Sequence, residues 1–435
     1  MGWLDNKVVA EFQSLADNTN GGIYKSDAGT TDYSQQTTAQ ATFTNLSTDA
    51  TGKIITDDDA GGNMTAQMVG NGFQVNGGYY LIDGYTDSNT VTIDSSAGSS
   101  LSGLSGKIGG AWALMTYTIF DLFKPDNEYH VKNDGTYTLT GSISVAADGS
   151  GALPIRGFYY NNTRGDNPTG TNRPLVACGA YQFNVDDYWY TFNPRMTGTY
   201  TQVFAGTSSL QFLVVNGDFN NTSGTAGRHG LTLSTGNSSF TAKAINCSAT
   251  SLNGNGFAVG QGGSAYRCVA KDCGEAGFFQ SSSSPIYLDK CISYNNDVGL
   301  EMVSRLNSRI TSMTIDDCTT YGIQLTSNSY GINIEDCNIT NCGTGIIGTS
   351  GYETSNYADR IHFHGNGTDL TYMTDHGNNT SGDPEYGDAA NGDLSTGSAT
   401  ITTRDFPYEE SEDTYSKGAV EKAATGAEIT YCVAT

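Results

Sequence analysis

The sequence predicts an all-β fold, and three observations carry the prediction. Glycine makes up 55 of 435 residues while charged residues are only 15%, far from average usage on both counts. Asn, Ser, Thr, 26 Tyr and 17 Phe crowd the chain, so poor helix formers and strand-favouring side chains dominate. The middle third repeats itself every 22 residues or so, with strand-like alternation inside each repeat.

The repeat is read from three columns. The first holds Cys247, Cys268, Cys291, Met313 and Cys337, spaced 21, 23, 22 and 24 residues apart. Five positions later stand Leu252, Cys273, Asn296, Cys318 and Cys342. A third column holds Gly256, Gly277, Gly299, Gly322 and Gly345, each followed by Phe, Leu or Ile. Leucine-rich repeats share this length, but their dense leucine pattern is missing. Alternating residues such as Ile286, Leu288 and Ile332, Ile334 argue for short strands. Short strands broken by Gly and Asn at this period fit the coils of a single-stranded parallel β-helix of about 22 residues per coil. Equivalent positions of successive coils then stack into ladders. Cysteine fills a narrow interior as a buried reduced thiol, glycine serves left-handed corners, and Asn295, Asn296 and Asn341 occupy further corners.

The remaining elements follow in order. Residues 1–18 read as a helix or anchor, because Leu4, Val8, Phe12 and Leu15 form an apolar stripe. Residues 19–115 read as a β-rich module, with a hairpin of strands near 79–83 and 90–94 and a Ser/Gly-rich linker over 95–110. The β-helix is assigned to 116–373, with early coils near Trp189–Asn193, Phe212–Asn216 and Leu231–Leu233 and a last one near Ile361–Phe363. Residues 374–435 leave the pattern and form a cap or tail, since an open helix end exposes unpaired backbone.

Charge and motifs limit the function. A net charge of −24 opposes binding to nucleic acid and to anionic membranes. No run of 18 apolar residues and no signal peptide is visible. No GxSxG elbow occurs, and GNGFQVNGG lacks the strand–helix setting of a dinucleotide site.

At this point four segments resemble the right-handed parallel β-helix structural proteins of tailed bacteriophages, tailspike-like or capsid-decoration-like. Gly72–Gly98 with Gly109-Gly110-Ala111 is similar to an N-terminal module of many viral β-helices. Gly157–Pro174, containing Arg164-Gly165-Asp166, resembles their first-coil loop. Coils 239–350 resemble their repeats. Asp383-Pro384, Gly392-Asp393-Leu394 and Lys417-Gly418-Ala419-Val420 look like closing motifs, although Glu385-Tyr386 stands where the family has an apolar residue. The resemblance implies a right-handed coil, a homotrimer and a virion-surface location beside capsid or tail proteins.

Chemistry on such a fold needs carboxylates facing one another across a groove. Asp186, Asp187 and Asp218 on the early coils are candidates, and Asp272, Asp289, Asp316, Asp317, Glu335 and Asp336 lie near the cysteine columns. Tyr159, Tyr160, Tyr188, Trp189 and Tyr190 form an aromatic cluster suited to packing, an interface or a glycan. His362, His364 and His376 are candidate metal ligands. No cofactor is expected, and structural calcium suits the many Asp and Asn side chains. The leading expectation is a non-enzymatic virion surface protein. The alternatives are a tailspike depolymerase acting on host polysaccharide and a secreted adhesin.

Overall fold

A computed structural model describes residues 8–25, 31–145, 149–150, 153–206, 211–234, 242–280, 282, 284–303, 307–326, 329–388 and 393–396. The chain forms two compact units, Met1–Tyr181 with Val185–Met196, and Gln182–Asn184 with Thr197–Thr435. Leu4 of the expected helical stripe, Gly392 and the acidic C-terminal stretch with Lys417–Val420 lie outside the described residues.

The expected N-terminal helix is, where described, a strand. Val8–Phe12 is extended, pairs antiparallel with Ile23–Lys25 and runs parallel to Glu128–Lys132. The misreading has a simple cause. An offset of four is even, so Val8 and Phe12 share a face of a strand as readily as a face of a helix. Both are fully buried, whereas Leu15, the next residue of the stripe, is 80% exposed.

Still in the first unit, six strands close into a barrel: Ala41–Thr48, Ile54–Asp57, Thr90–Ile93, Gly78–Asp87, Gly72–Val75 and Leu104–Ile108. Phe43, Leu46, Ile55, Phe73, Ile82 and Ile108 fill it. The hairpin pairs Ile82 with Ile93 across the turn at Ser88 and Asn89. Leu104–Ile108 is a barrel strand, not linker, because it pairs on both edges, with Ala41–Thr48 and Gly72–Val75. Gly109 and Gly110 turn the chain out of the barrel at φ +64° and +82°, a backbone that L side chains avoid. Beyond it, Glu128–Lys132, Ile155–Tyr160 and Trp189–Phe192 stack in parallel. Phe12, Trp112, Phe120, Phe123, Tyr129 and Trp189 form the core beneath them.

The second unit is built from coils of three strands, one on each of three faces. The first face runs through Phe212–Val215, Ala242–Ile245, Gly263–Tyr266, Tyr287–Asp289, Arg309–Thr311, Asn333–Glu335, Tyr357–Asp359 and Thr374–Asp375. The second runs through Asp218–Asn221, Ser248–Ser251, Val269–Lys271, Ile292–Tyr294, Thr314–Asp316, Asn338–Thr340, His362–His364 and Thr380–Ser381. The third runs through Gln202–Gly206, His229–Leu233, Asn255–Val259, Ala276–Gln280, Val298–Met302, Tyr321–Leu325, Thr344–Ile347 and Thr368–Thr371. Neighbouring coils pair parallel in register, at about 23 residues per turn. The fold is all β, with about eight turns. Leu231–Leu233 thus lies on a different face from Phe212–Val215, and residues 374–381 continue the coils instead of leaving them.

Inward positions stack. On the first face Ala265, Leu288, Ile310 and Ile334 lie one over the next, and each is buried. Each such Leu or Ile contributes roughly 1.5–3 kcal/mol through burial. On the third face the Phe257 and Phe278 rings stack at 4.8 Å. Cys247, Cys268, Cys291, Met313 and Cys337 are buried; each of the first four carbonyls accepts from the amide following the next member of the column, and that of Cys337 accepts from the His362 amide. The thiol of Cys268 lies beside those of Cys247 and Cys291. Eight described cysteines are buried and unbridged. In the second column Cys273, Asn296, Cys318 and Cys342 are buried, but Leu252 is exposed.

The corners correct the glycine reading. Left-handed backbone falls on Asn246, Arg267, Lys290, Ser312 and Asp336, each immediately before a member of the first column, on Arg360 before Ile361, and on Asp272, Asn295, Asp317 and Asn341. Gly256, Gly277, Gly299, Gly322 and Gly345 are in extended strands instead. A Cβ on Gly299 or Gly322 would stand 2.5 Å from the carbonyl oxygen of the next column glycine. The column is glycine because the coils approach closely there. Asn296 is also not a left-handed corner. It faces inward, accepting from the Cys273 amide and donating to Ala270 and Ser293.

After the last coil, Tyr386–Asp388 pairs antiparallel with Asp393–Thr396. The Tyr386 hydroxyl contacts the side chains of Asn338 and Thr340. This residue, the departure from the resembled closing motif, anchors the segment.

Candidate functional site

A groove of about 470 Å³ opens on the third face of the second unit, lined by Gly227, His229, Asn255, Glu275, Phe279, Asp297, Val298, Glu301 and Gln324. Strand register assembles it. Phe279, Glu301 and Gln324 stand side by side at one outward position of successive strands. Glu275 and Asp297 occupy equivalent positions of adjacent coils, just before their strands, and the Val298 amide donates to the Glu275 carbonyl at 3.1 Å. Neighbouring coils are about 4.8 Å apart, so the two carboxylates are rung neighbours.

Each acid has a distinct environment. Glu275 accepts from the Gly227 amide and the Asn255 side chain, both at 3.1 Å. Asn255 is itself fixed, its oxygen accepting from the Ala276 amide at 2.8 Å. Asp297 accepts from the Thr320 hydroxyl at 2.5 Å. Glu301 is partly buried, and burial together with the charges of Glu275 and Asp297 holds its carboxyl above the usual range. Burial lowers the His229 imidazole to about 4, so it is neutral at pH 7. Its ring lies nearly parallel to Phe279, with centroids 6.2 Å apart. Two carboxylates held by donors, one raised carboxyl and an aromatic pair make an acid–base set beside an apolar platform.

The residues named from sequence lie elsewhere. Asp186 and Asp187 precede Trp189–Phe192 in the first unit, and Asp187 is buried. Asp218 opens a strand of the second unit and accepts from Ser248 at 2.9 Å. Tyr159, Tyr160 and Trp189 are buried and serve packing, not glycan contact; Tyr188 and Tyr190 are partly exposed. Asp272 and Asp289 accept from Asn295 and Thr311. Asp316 accepts from Thr340 and Asn341, and Glu335 and Asp336 pair with Arg360. Asp317 is a left-handed corner. His362 uses both ring nitrogens, on Thr380 and Gly382, while His376 stacks on Tyr357 at 4.5 Å. Among the described residues no His/Cys/Asp/Glu group of three or more is arranged to hold a metal ion. Arg164 of the Arg-Gly-Asp triplet is largely buried against Glu11 and Asp32, and Asp166 accepts backbone amides of its own loop.

Sequence reasoning missed Glu275, Asp297, Glu301, His229 and Phe279. The signal was present. Two positions before each column glycine the aligned repeats read Gly254, Glu275, Asp297, Thr320 and Gly343. Two positions after, they read Ala258, Phe279, Glu301, Gln324 and Ile347.

Residues 229–383 match the family model described as right handed beta helix region. The fold is a right-handed parallel β-helix. Among solved structures, pectate lyase Pel9A is similar at a TM-score of 0.51 and 15% identity, over 73% of this chain and 92% of that one. The Azotobacter vinelandii mannuronan C-5 epimerase AlgE6 A-module aligns at 0.32 and 12% identity, over 60% and 76% of the two chains. The catalytic domain of a GH87 α-1,3-glucanase aligns at 0.27 and 10% identity, over 87% and 95%. At these identities the pectate lyase match speaks for the fold alone, and the other two carry no argument. No curated protein matches the sequence significantly.

Proposed function

We propose that this β-helix is a glycan-cleaving protein whose active groove is the third-face cleft. The observation that carries the reading is the convergence of Glu275, Asp297 and Glu301 beside the His229–Phe279 pair in one groove. Glu301 is the proton donor to the leaving glycosidic oxygen, since its raised carboxyl keeps a proton to higher pH. Asp297 or Glu275 is the partner carboxylate that activates water or attacks the sugar. Phe279 and His229 give a sugar ring an apolar face, and Asn255 and Gln324 give its hydroxyls partners.

This reading prefers the depolymerase alternative to a non-enzymatic shell protein, because a passive surface gains nothing from setting two acids where they raise the proton affinity of Glu301. A pectate lyase shares the fold, so the architecture carries polysaccharide chemistry in another protein. The setting is proposed with it: a homotrimeric, virion-surface tailspike facing host polysaccharide, supported by the segments that resemble phage β-helix proteins.

Release of reducing ends from a panel of bacterial surface polysaccharides tests the activity. Release that is lost in Glu301→Gln, in a protein with unchanged circular dichroism, supports it. Release that survives Glu301→Gln, Asp297→Asn and Glu275→Gln alike would sink the site, as would no release from any polysaccharide. Copy number and position in a purified particle test the virion setting.

A further inference from the structure

The groove carries one sign of charge. Among the described residues three carboxylates line it, with no lysine or arginine beside them. His229 adds no positive charge at neutral pH, because burial disfavours its protonated form. Arg228, adjacent in sequence, is turned away. Its guanidinium donates to the Thr201 hydroxyl at 2.9 Å and sits 5.9 Å from the Tyr200 ring centroid. The same unit does place cations on its surface elsewhere: Arg267 and Lys290 both lie over the Tyr266 ring, at 5.2 and 5.8 Å. The remaining lining groups are neutral, namely Gly227, Asn255, Gln324, Phe279 and Val298.

A negative group entering this cleft meets like charge on Glu275 and Asp297, and on Glu301 whenever that residue has lost its proton, in a setting drier than bulk water. Coulomb repulsion grows as the effective dielectric falls, and like-charge juxtaposition at a recognition surface is strongly disfavoured. A hydroxyl meets amide and carboxylate partners instead, and an ammonium meets carboxylates.

We propose that the groove accepts glycan segments whose sugars are uncharged or amino-bearing, and that it excludes segments bearing uronate, sialate, sulfate or phosphate at the cleaved position. The proposal rests on the glycan-cleaving reading and adds the substrate class to it.

The test is binding of the full-length wild-type chain to immobilised polysaccharides sorted into neutral, amino-bearing and acidic sets, read at low temperature to slow turnover. The expected result is capture by neutral or amino-bearing glycans, with acidic ones weaker by about a hundredfold, two decades of affinity at 1.4 kcal/mol each. Lowering ionic strength from about 0.15 to 0.01 M lengthens screening from about 8 to 30 Å, and the discrimination should widen. In Glu275→Gln and Asp297→Asn the acidic glycans should regain about tenfold each. Preferential capture of an acidic glycan would overturn the proposal and leave the cleavage reading intact. So would discrimination indifferent to salt and to both variants. Capture of no glycan in any set would remove the cleavage reading, and this proposal with it.

Discussion

Glu301 shows how one side chain acquires a role from its rung neighbours. Register sets it between Phe279 and Gln324, and the charges of Glu275 and Asp297 add to burial in raising its carboxyl. A general acid works only while protonated, so activity should fall as pH rises through that raised pKa. Glu301→Gln should lower turnover by about 10²–10⁴-fold and abolish this alkaline limb, read as initial rates of reducing-end release against pH. Burial lowers the His229 imidazole to about 4, so it is neutral near pH 7 and adds no limb of its own there. Phe279→Ala should act differently, raising KM by about tenfold with kcat little changed, because a stacking contact holds ground state and transition state alike. None of this was legible residue by residue. Glu275 and Asp297 are two acids among 45, and only the rung alignment marks them as neighbours.

At the scale of the element, the thiol and glycine columns show what repetition can and cannot announce. Spacing alone identified both as ladders, because residues at equal phase in successive coils must stack. It did not tell why each residue type was chosen. The glycines are extended, and a Cβ there would enter the next coil's backbone. Gly299→Ala should therefore cost about 1–3 kcal/mol through overpacking, seen as a lower urea midpoint with unchanged slope. Within the thiol ladder, burial and the adjacent Cys247 and Cys291 push the Cys268 thiol well above its ordinary value, so it is protonated and inert. Alkylation mapped by mass spectrometry should leave Cys247, Cys268 and Cys291 unmodified in native protein and label them in urea. Cys268→Ser should destabilise the fold, since a hydroxyl at this fully buried position loses its hydration.

At the scale of the whole chain, long-range ties hold segments that local pattern leaves ambiguous. In the first unit Glu11 is fully buried on the strand Val8–Phe12. It receives hydrogen bonds from Tyr160 and from Arg164, which also binds Asp32 and Ser34. Desolvation outweighs the Arg164 attraction and lifts the Glu11 carboxyl from 4.5 to about 7. A carboxyl raised on folding binds its proton more tightly in the folded chain. Its contribution is thus complete below about pH 4.5 and is lost as pH rises through about 7. Hydrogen exchange of Val8–Phe12 should accelerate across that window, and Glu11→Gln should flatten the dependence. Arg164→Ala leaves buried acid uncompensated and should cost about 3–5 kcal/mol, read as the loss of the same protection.

What the amino-acid sequence determined by itself was the all-β class, the coil period and the stacked interior, since composition and phase are properties of the chain alone. Tertiary structure decided the rest. Val8–Phe12 became a strand because Glu128–Lys132 offered it a parallel partner, a tie that an apolar spacing of four could not reveal. The groove arose because parallel register on the third face sets Phe279, Glu301 and Gln324 in one row and Glu275 and Asp297 in another. Which side chains meet across rungs depends on where each corner turns, and that is settled only when the coils pack.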